Sequence, residues 1–126
     1  MLQTGIRGTG EALVTEERTA KAMGSGELPV YATPALIALV EETAWKSVAG
    51  LLEPGQGTVG TRVDLAHVAA TPLGKRVRCE TELTELDRRR LVFSAVVFDE
   101  AGKIAEGTHE RFIVDRERFL TTAQSR

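Results

Sequence analysis

The chain has 126 residues, of which 42% are hydrophobic and 27% charged, with a formal net charge of −2. That size and balance suit one globular domain with a real core, and the interspersed acids and bases leave no electrostatic footprint for nucleic acid or an anionic membrane. No apolar run approaches a membrane span and no signal-like segment opens the chain; the single cysteine, Cys79, excludes an internal disulfide and a cysteine-based metal cluster, so a cytoplasmic protein is expected.

In chain order, residues 1–10 carry three glycines and are expected to fray, with a first strand over residues 11–18. Lys21 to Gly26 reads as a short helical turn followed by a flexible loop. Next comes Tyr31-Ala32-Thr33-Pro34, with Thr33 as an N-cap and Pro34 as the first helical residue. The apolar run Ala35 to Val40 then predicts a helix from about Pro34 to Leu52, wrapped by other structure and stopped by Pro54-Gly55. Beyond it the period changes to two. Val59, Thr61, Val63, Leu65 and His67 are placed on one face of a strand. Lys75–Leu86, Leu91–Phe98 and Lys103–Val114 follow as three strands joined by short turns, an antiparallel meander. A strand, one long helix and then several strands define an α+β class, with the helix packed on one face of the sheet.

Two adjacent acids sit on the helix, about 100° apart around its axis. Glu42 has Lys46 four residues on, the favourable order for a solvated ion pair. Glu41 instead shares its face with Ile37, Ala38, Ala44, Trp45 and Val48. It is either a reactive carboxylate or an acid at a wet seam or beside an arginine. His67 is either a general acid or base near a carboxylate or a core histidine bonded to a backbone carbonyl; spacing alone favours the second. His109 and Arg111 share a face of the last strand and read as solvated or ion-paired.

Other motifs carry less. Gly55 to Gly60 spells G-x-G-x-x-G, but it follows a helix and precedes a strand, the reverse of a dinucleotide site. The hydrolase elbow G-x-S-x-G is absent. Cys79 sits in an alternating strand, a core position. With two histidines and no H-E-x-x-H, no metal site is expected. Arg88-Arg89-Arg90 reads as a solvated hairpin tip, or as a place for an anionic ligand's phosphates.

Several segments together resemble the fluoroacetyl-CoA thioesterase family: Ala32-Thr33-Pro34 leading to Glu41, Leu52-Glu53-Pro54-Gly55-Gln56-Gly57, Val59-Gly60-Thr61, His67-Val68-Ala69-Ala70-Thr71-Pro72, Arg89-Arg90-Leu91 and Gly107-Thr108-His109-Glu110-Arg111. The resemblance covers about residues 31–119, with the spacing between motifs kept. It implies a hotdog fold, one long central helix wrapped by an antiparallel sheet. It implies an acyl-CoA thioesterase whose catalytic set falls on Thr33, Glu41 and His67, with Gly60 and Arg111 holding substrate. It picks Glu41 over Glu42, as the helical face does, and reverses the core reading of His67. It implies coenzyme A as part of the substrate, no further cofactor, and a homodimer or higher homo-oligomer with the site at the interface. Thr33 and Glu41 are eight residues apart, about 12 Å of helix rise, which also suits a site shared by two subunits. The family's phenylalanine-bearing lid is missing: Ala22 to Val30 is shorter and has no phenylalanine. Thioesterase chemistry carries over; the fluorinated substrate does not. The rival readings are a non-catalytic acyl-thioester binder and, ranked third, an enoyl-CoA hydratase or dehydratase.

Overall fold

The computed structural model describes all of Met1–Arg126. Strand β1 (Arg7–Leu13) is followed by a 3-10 turn (Glu16–Arg18), a short helix α1 (Ala20–Met23) and the long helix α2 (Thr33–Ala49). Strands β2 (Gln56–His67), β3 (Arg76–Asp87), β4 (Arg90–Asp99) and β5 (Gly102–Asp115) come next, then helix α3 (Arg116–Gln124). The strands form one antiparallel sheet in the order β1-β3-β4-β5-β2. Its centre is the expected meander, with β1 and β2 added at opposite edges. α2 lies against all five strands. A sheet curled around one helix is the hotdog architecture that the resemblance implies. No helix is long and apolar enough to cross a membrane.

The start of α2 differs from expectation. Ala32 is the N-cap, with no side-chain capping bond; Thr33 is already helical and Pro34 follows it in the first turn. The Thr33 hydroxyl is engaged elsewhere, as described below. Along α2, Leu36, Leu39, Val40, Thr43, Ala44 and Val48 are buried, the three-and-four spacing of one face. Full burial of Leu36 or Val40 contributes about 1.5–3 kcal/mol each. The other side is open: Pro34, Ala38, Trp45 and Ala49 are exposed. The sheet therefore wraps α2 on one side only, because five strands supply one concave face. The helix also stops at Ala49, short of Leu52, where Gly50 caps it. Two apolar clusters fill the space under the sheet. Leu36, Leu39 and Val40 pack with Val77, Cys79 and Val97, while Ala44 and Val48 pack with Leu83, Leu91 and Phe93.

Three more differences have physical causes. The first strand, expected over residues 11–18, instead runs Arg7–Leu13: it begins inside the stretch expected to fray, held there by its pairing with β3, and gives way to the 3-10 turn at Glu16–Arg18. Its glycines hide the alternation on which a sequence reading depends. On β2, Gly60 faces Arg111 but Arg62 faces Glu110, so Thr61 is an extra residue in a β-bulge. The bulge switches faces. Thr58 and Gly60 share the inner face with Val63, Leu65 and His67, while Val59 lies outward opposite Phe112. Finally, α3 has no buried residue, so no apolar stripe announces it. Next to Leu65, Gly107 makes the β2–β5 approach possible: a Cβ there would run into the Asp64 carbonyl.

Candidate active site

The sequence-predicted residues fall into two groups. In the first, the Thr33 hydroxyl is hydrogen-bonded to His67 Nδ1 at 2.9 Å. The last residue of β2 thus meets the first residue of α2. His67 Nε2 is buried without a hydrogen-bond partner. Beside the pair lies a cavity of about 280 Å³, lined by Tyr31, Val68, Ala69 and Ala70 and walled by Ala20, Ser25 and Val30 of the α1 segment. That segment is pinned at its base by Thr19 pairing with Tyr31 and Val30 with Pro72.

The second group surrounds Glu41. Arg111 Nη1 donates to Glu41 Oε2 at 3.2 Å and to His109 Nε2 at 3.1 Å. Arg111 Nε and Nη2 donate to the hydroxyl and carbonyl oxygens of Thr58, at 2.9 and 3.0 Å. Arg111 is only 6% exposed, as a buried cation among charged and polar acceptors can be. Glu41 keeps 40% of its side-chain surface exposed, so it is a half-open carboxylate beside an arginine, one of the settings its sequence position allows. It lies over Gly60: a Cβ there would meet Glu41 Oε2, with Arg111 Nη1 at 3.2 Å and His109 Cε1 at 3.3 Å. Glycine is what leaves room for the carboxylate. Within one chain, no hydrogen bond or ion pair joins Glu41 to Thr33 or His67.

Sequence reasoning did not find Thr58 or the burial of His109. The available signal is period two: Thr58 lies two residues before Gly60, and His109 two before Arg111. Elsewhere the bland readings stand. Glu42 makes its exposed pair with Lys46 at 3.7 Å. Burial pushes the Cys79 thiol up to about 11, so it is a poor nucleophile. At the hairpin, Arg89 pairs with Asp115 and Arg90 with Glu110 and Glu85, while Arg88, exposed to solvent, has only Asp87 at 3.8 Å.

Burial lowers the pKa of both histidines from the ordinary 6.5. At His67 the Ala69 backbone pulls the other way; at His109 the Arg62 carbonyl does, while nearby Arg111 adds to the lowering. The unfolded chain therefore takes up protons before the folded one as the pH falls. Stability is retained above about 6.5 and declines below it, toward the folded pKa values. The urea midpoint is expected to be lower at about pH 5.5 than at about pH 7.5, with an unchanged slope. A higher midpoint at the acidic pH would contradict this.

Comparison with known proteins gives these groups a context. The family described as fluoroacetyl-CoA-specific thioesterase matches residues 14–117. The fluoroacetyl-CoA thioesterase of Streptantibioticus cattleyicolor is 33% identical over 124 residues, spanning 94% of this chain and 89% of that protein. The solved structure of the fluoroacetyl-CoA thioesterase FlK superposes with a TM-score of 0.93 at 31% identity, covering 100% of this chain and 98% of that one. A Thermus thermophilus protein described as a thioesterase superfamily member gives 0.91 at 25% identity, covering 99% and 93%. Fold and likeness together define a hotdog-fold thioester hydrolase. Within that class, the chain belongs to the fluoroacetyl-CoA-specific thioesterase family.

Proposed function

We propose that the protein hydrolyses the thioester of a small acyl group with coenzyme A, at a site that two copies of the chain complete together. The observation that carries this reading is the half-exposed Glu41 carboxylate, gripped at one oxygen by buried Arg111 above Gly60. Such a carboxylate is aimed and still accessible. The Thr33–His67 pair lies at the other end of α2's first two turns, about 12 Å away by helix rise. A second copy against the open flank of α2 would bring one chain's pair to the other's Glu41, and would cover Ala38 and Trp45.

The chemistry then divides by residue. Glu41 either attacks the thioester carbonyl, giving an acyl-enzyme anhydride that water cleaves, or takes a proton from water as that water attacks. The C–S bond breaks in either route, and the departing thiolate ends with a proton. His67 Nε2, without a partner in the folded chain, is suited to carry protons between water and the leaving sulfur. Thr33 fixes the His67 ring through Nδ1. At the bulge, Gly60 lets its backbone approach the substrate closely, and an N–H there would serve the oxyanion. Arg111 is committed to Glu41, His109 and Thr58, which supports a role in holding the carboxylate before one in gripping substrate.

The test is a panel of acyl-CoAs of increasing chain length, assayed for release of free thiol. Release from short acyl-CoAs is expected. The α1-segment side chains that wall the cavity, Ala20, Ser25 and Val30, are small, and Ala22 to Val30 has no phenylalanine, which predicts no preference for fluoroacetyl-CoA over acyl groups of similar size. Saturable binding with no thiol released across the panel would favour an acyl-thioester binder instead.

A further inference from the structure

His109 is fully buried, yet it is a polar ring in a site where an aliphatic side chain could pack against Phe93, whose ring centroid lies 6.4 Å away. Its two nitrogens have unlike partners. Nδ1 is 2.8 Å from the Arg62 carbonyl, which can only accept, so Nδ1 carries the proton. Nε2 is 3.1 Å from Arg111 Nη1, and a guanidinium can only donate, so Nε2 presents its lone pair. Both bonds are satisfied together only by one tautomer of the neutral ring. A proton on Nε2 would break the bond to Arg111 and set two cations side by side. Glu41 Oε2, 3.9 Å from Nε2, is the one carboxylate on this side; the neighbouring Glu110 is turned to the other face, where it pairs with Arg90. The lowered pKa of the ring agrees with the neutral form.

The ring therefore connects two things that set the position of Glu41. Through Nδ1 it holds the carbonyl of Arg62, just past the bulge that presents Gly60. Through Nε2 it takes one Nη1 proton of Arg111 and leaves the other for the carboxylate. Without that acceptor, a buried N–H would lack a partner and the guanidinium tip would shift to find one. We propose that His109 is a positioning residue for hydrolysis: a neutral acceptor that fixes the tip of Arg111 and so aims Glu41. The inference rests on Glu41 as the reactive carboxylate.

Three variants test it. His109→Gln keeps an acceptor near the position of Nε2; His109→Asn can reach only the Arg62 carbonyl; His109→Leu keeps neither bond. The Gln variant is expected to hold kcat within about threefold of wild type, while Asn and Leu lower it roughly 10–100-fold with KM little changed, since the ring touches no substrate. Nitrogen-15 NMR of the wild-type ring at neutral pH is expected to show the Nδ1–H tautomer. A folded Leu variant with wild-type kcat overturns the proposal, as does a Gln variant no better than Leu, or a ring that is protonated or carries its proton on Nε2. If the Leu variant does not fold, the Gln–Asn comparison decides. Glu41→Ala, measured in parallel, separates the two levels. Full turnover by that variant removes the role of Glu41, whereas loss of turnover there beside a wild-type-like Leu variant removes only the role of His109.

Discussion

Glu41→Ala is expected to abolish thioester hydrolysis, a loss on the order of 10⁴-fold or more in kcat, as for other reactive groups that act as part of a set. The physical reason is the same whether the carboxylate attacks or activates water: no other acid near Gly60 can replace it. The alanine variant also leaves Arg111 a buried cation with one acceptor fewer, which burdens the fold. Glu41→Gln lessens that burden. Its amide oxygen still accepts from Arg111, but it has neither the charge nor the basicity of a carboxylate. The Gln variant keeps that hydrogen bond but leaves buried Arg111 without its counter-ion, so it is expected to stay folded with a lowered unfolding midpoint and to release no thiol above background. Substantial turnover by a folded Gln variant would show that the carboxylate is not the reacting group.

Gly60→Ala tests the placement of the carboxylate. Gly60 does not have a positive φ, so alanine fits the backbone. The atom its Cβ would meet is the tip of the Glu41 side chain, which can rotate away. That rotation leaves Arg111 with one acceptor fewer, and Arg111 Nη1 and His109 Cε1, 3.2 and 3.3 Å from the new Cβ, must also give, so the fold loses stability against the about 0.4–1 kcal/mol gained from a less flexible unfolded chain. The cost to the reaction is large, because the rotation that relieves the clash breaks the alignment with Arg111. A displacement of about 1 Å at a reacting group can cost on the order of 100-fold. The expected result is a folded protein with a somewhat lower melting temperature and kcat down by about that factor. Wild-type kcat in this variant would mean that the carboxylate does not react from its place over Gly60.

The parts of the fold that repeat a simple period were legible in the sequence. Helix α2 shows its apolar face and its Thr33-Pro34 start, and β3 to β5 show alternation between short turns. β1 showed only its end, Glu11 to Leu13, because Gly8 and Gly10 stand where apolar side chains would mark the start of a strand. α3 was not legible, because its Phe119 and Leu120 stay exposed and form no buried stripe. Of the site, helical spacing alone separated Glu41 from Glu42. The burial of His109 and Arg111 could not be read from Gly107 to Arg111, a stretch as polar as any solvated strand. Their burial comes from partners far along the chain: Thr58, the Arg62 carbonyl and Glu41. The bulge at Thr61, which brings Thr58 and Gly60 to the inner face, breaks the alternation on which a sequence reading relies.

In the proposed site, Glu41 of one copy works with the Thr33–His67 pair of another. That arrangement is tested most directly by heterodimers of Glu41→Ala and His67→Ala chains, purified through two different tags, each parent being inactive alone. If the site is shared, one of the two sites in each heterodimer has both side chains intact, and kcat per dimer should return to about half the wild-type value. Heterodimers as inactive as either parent would place Glu41 and His67 of the same chain in one site, and would contradict the shared site.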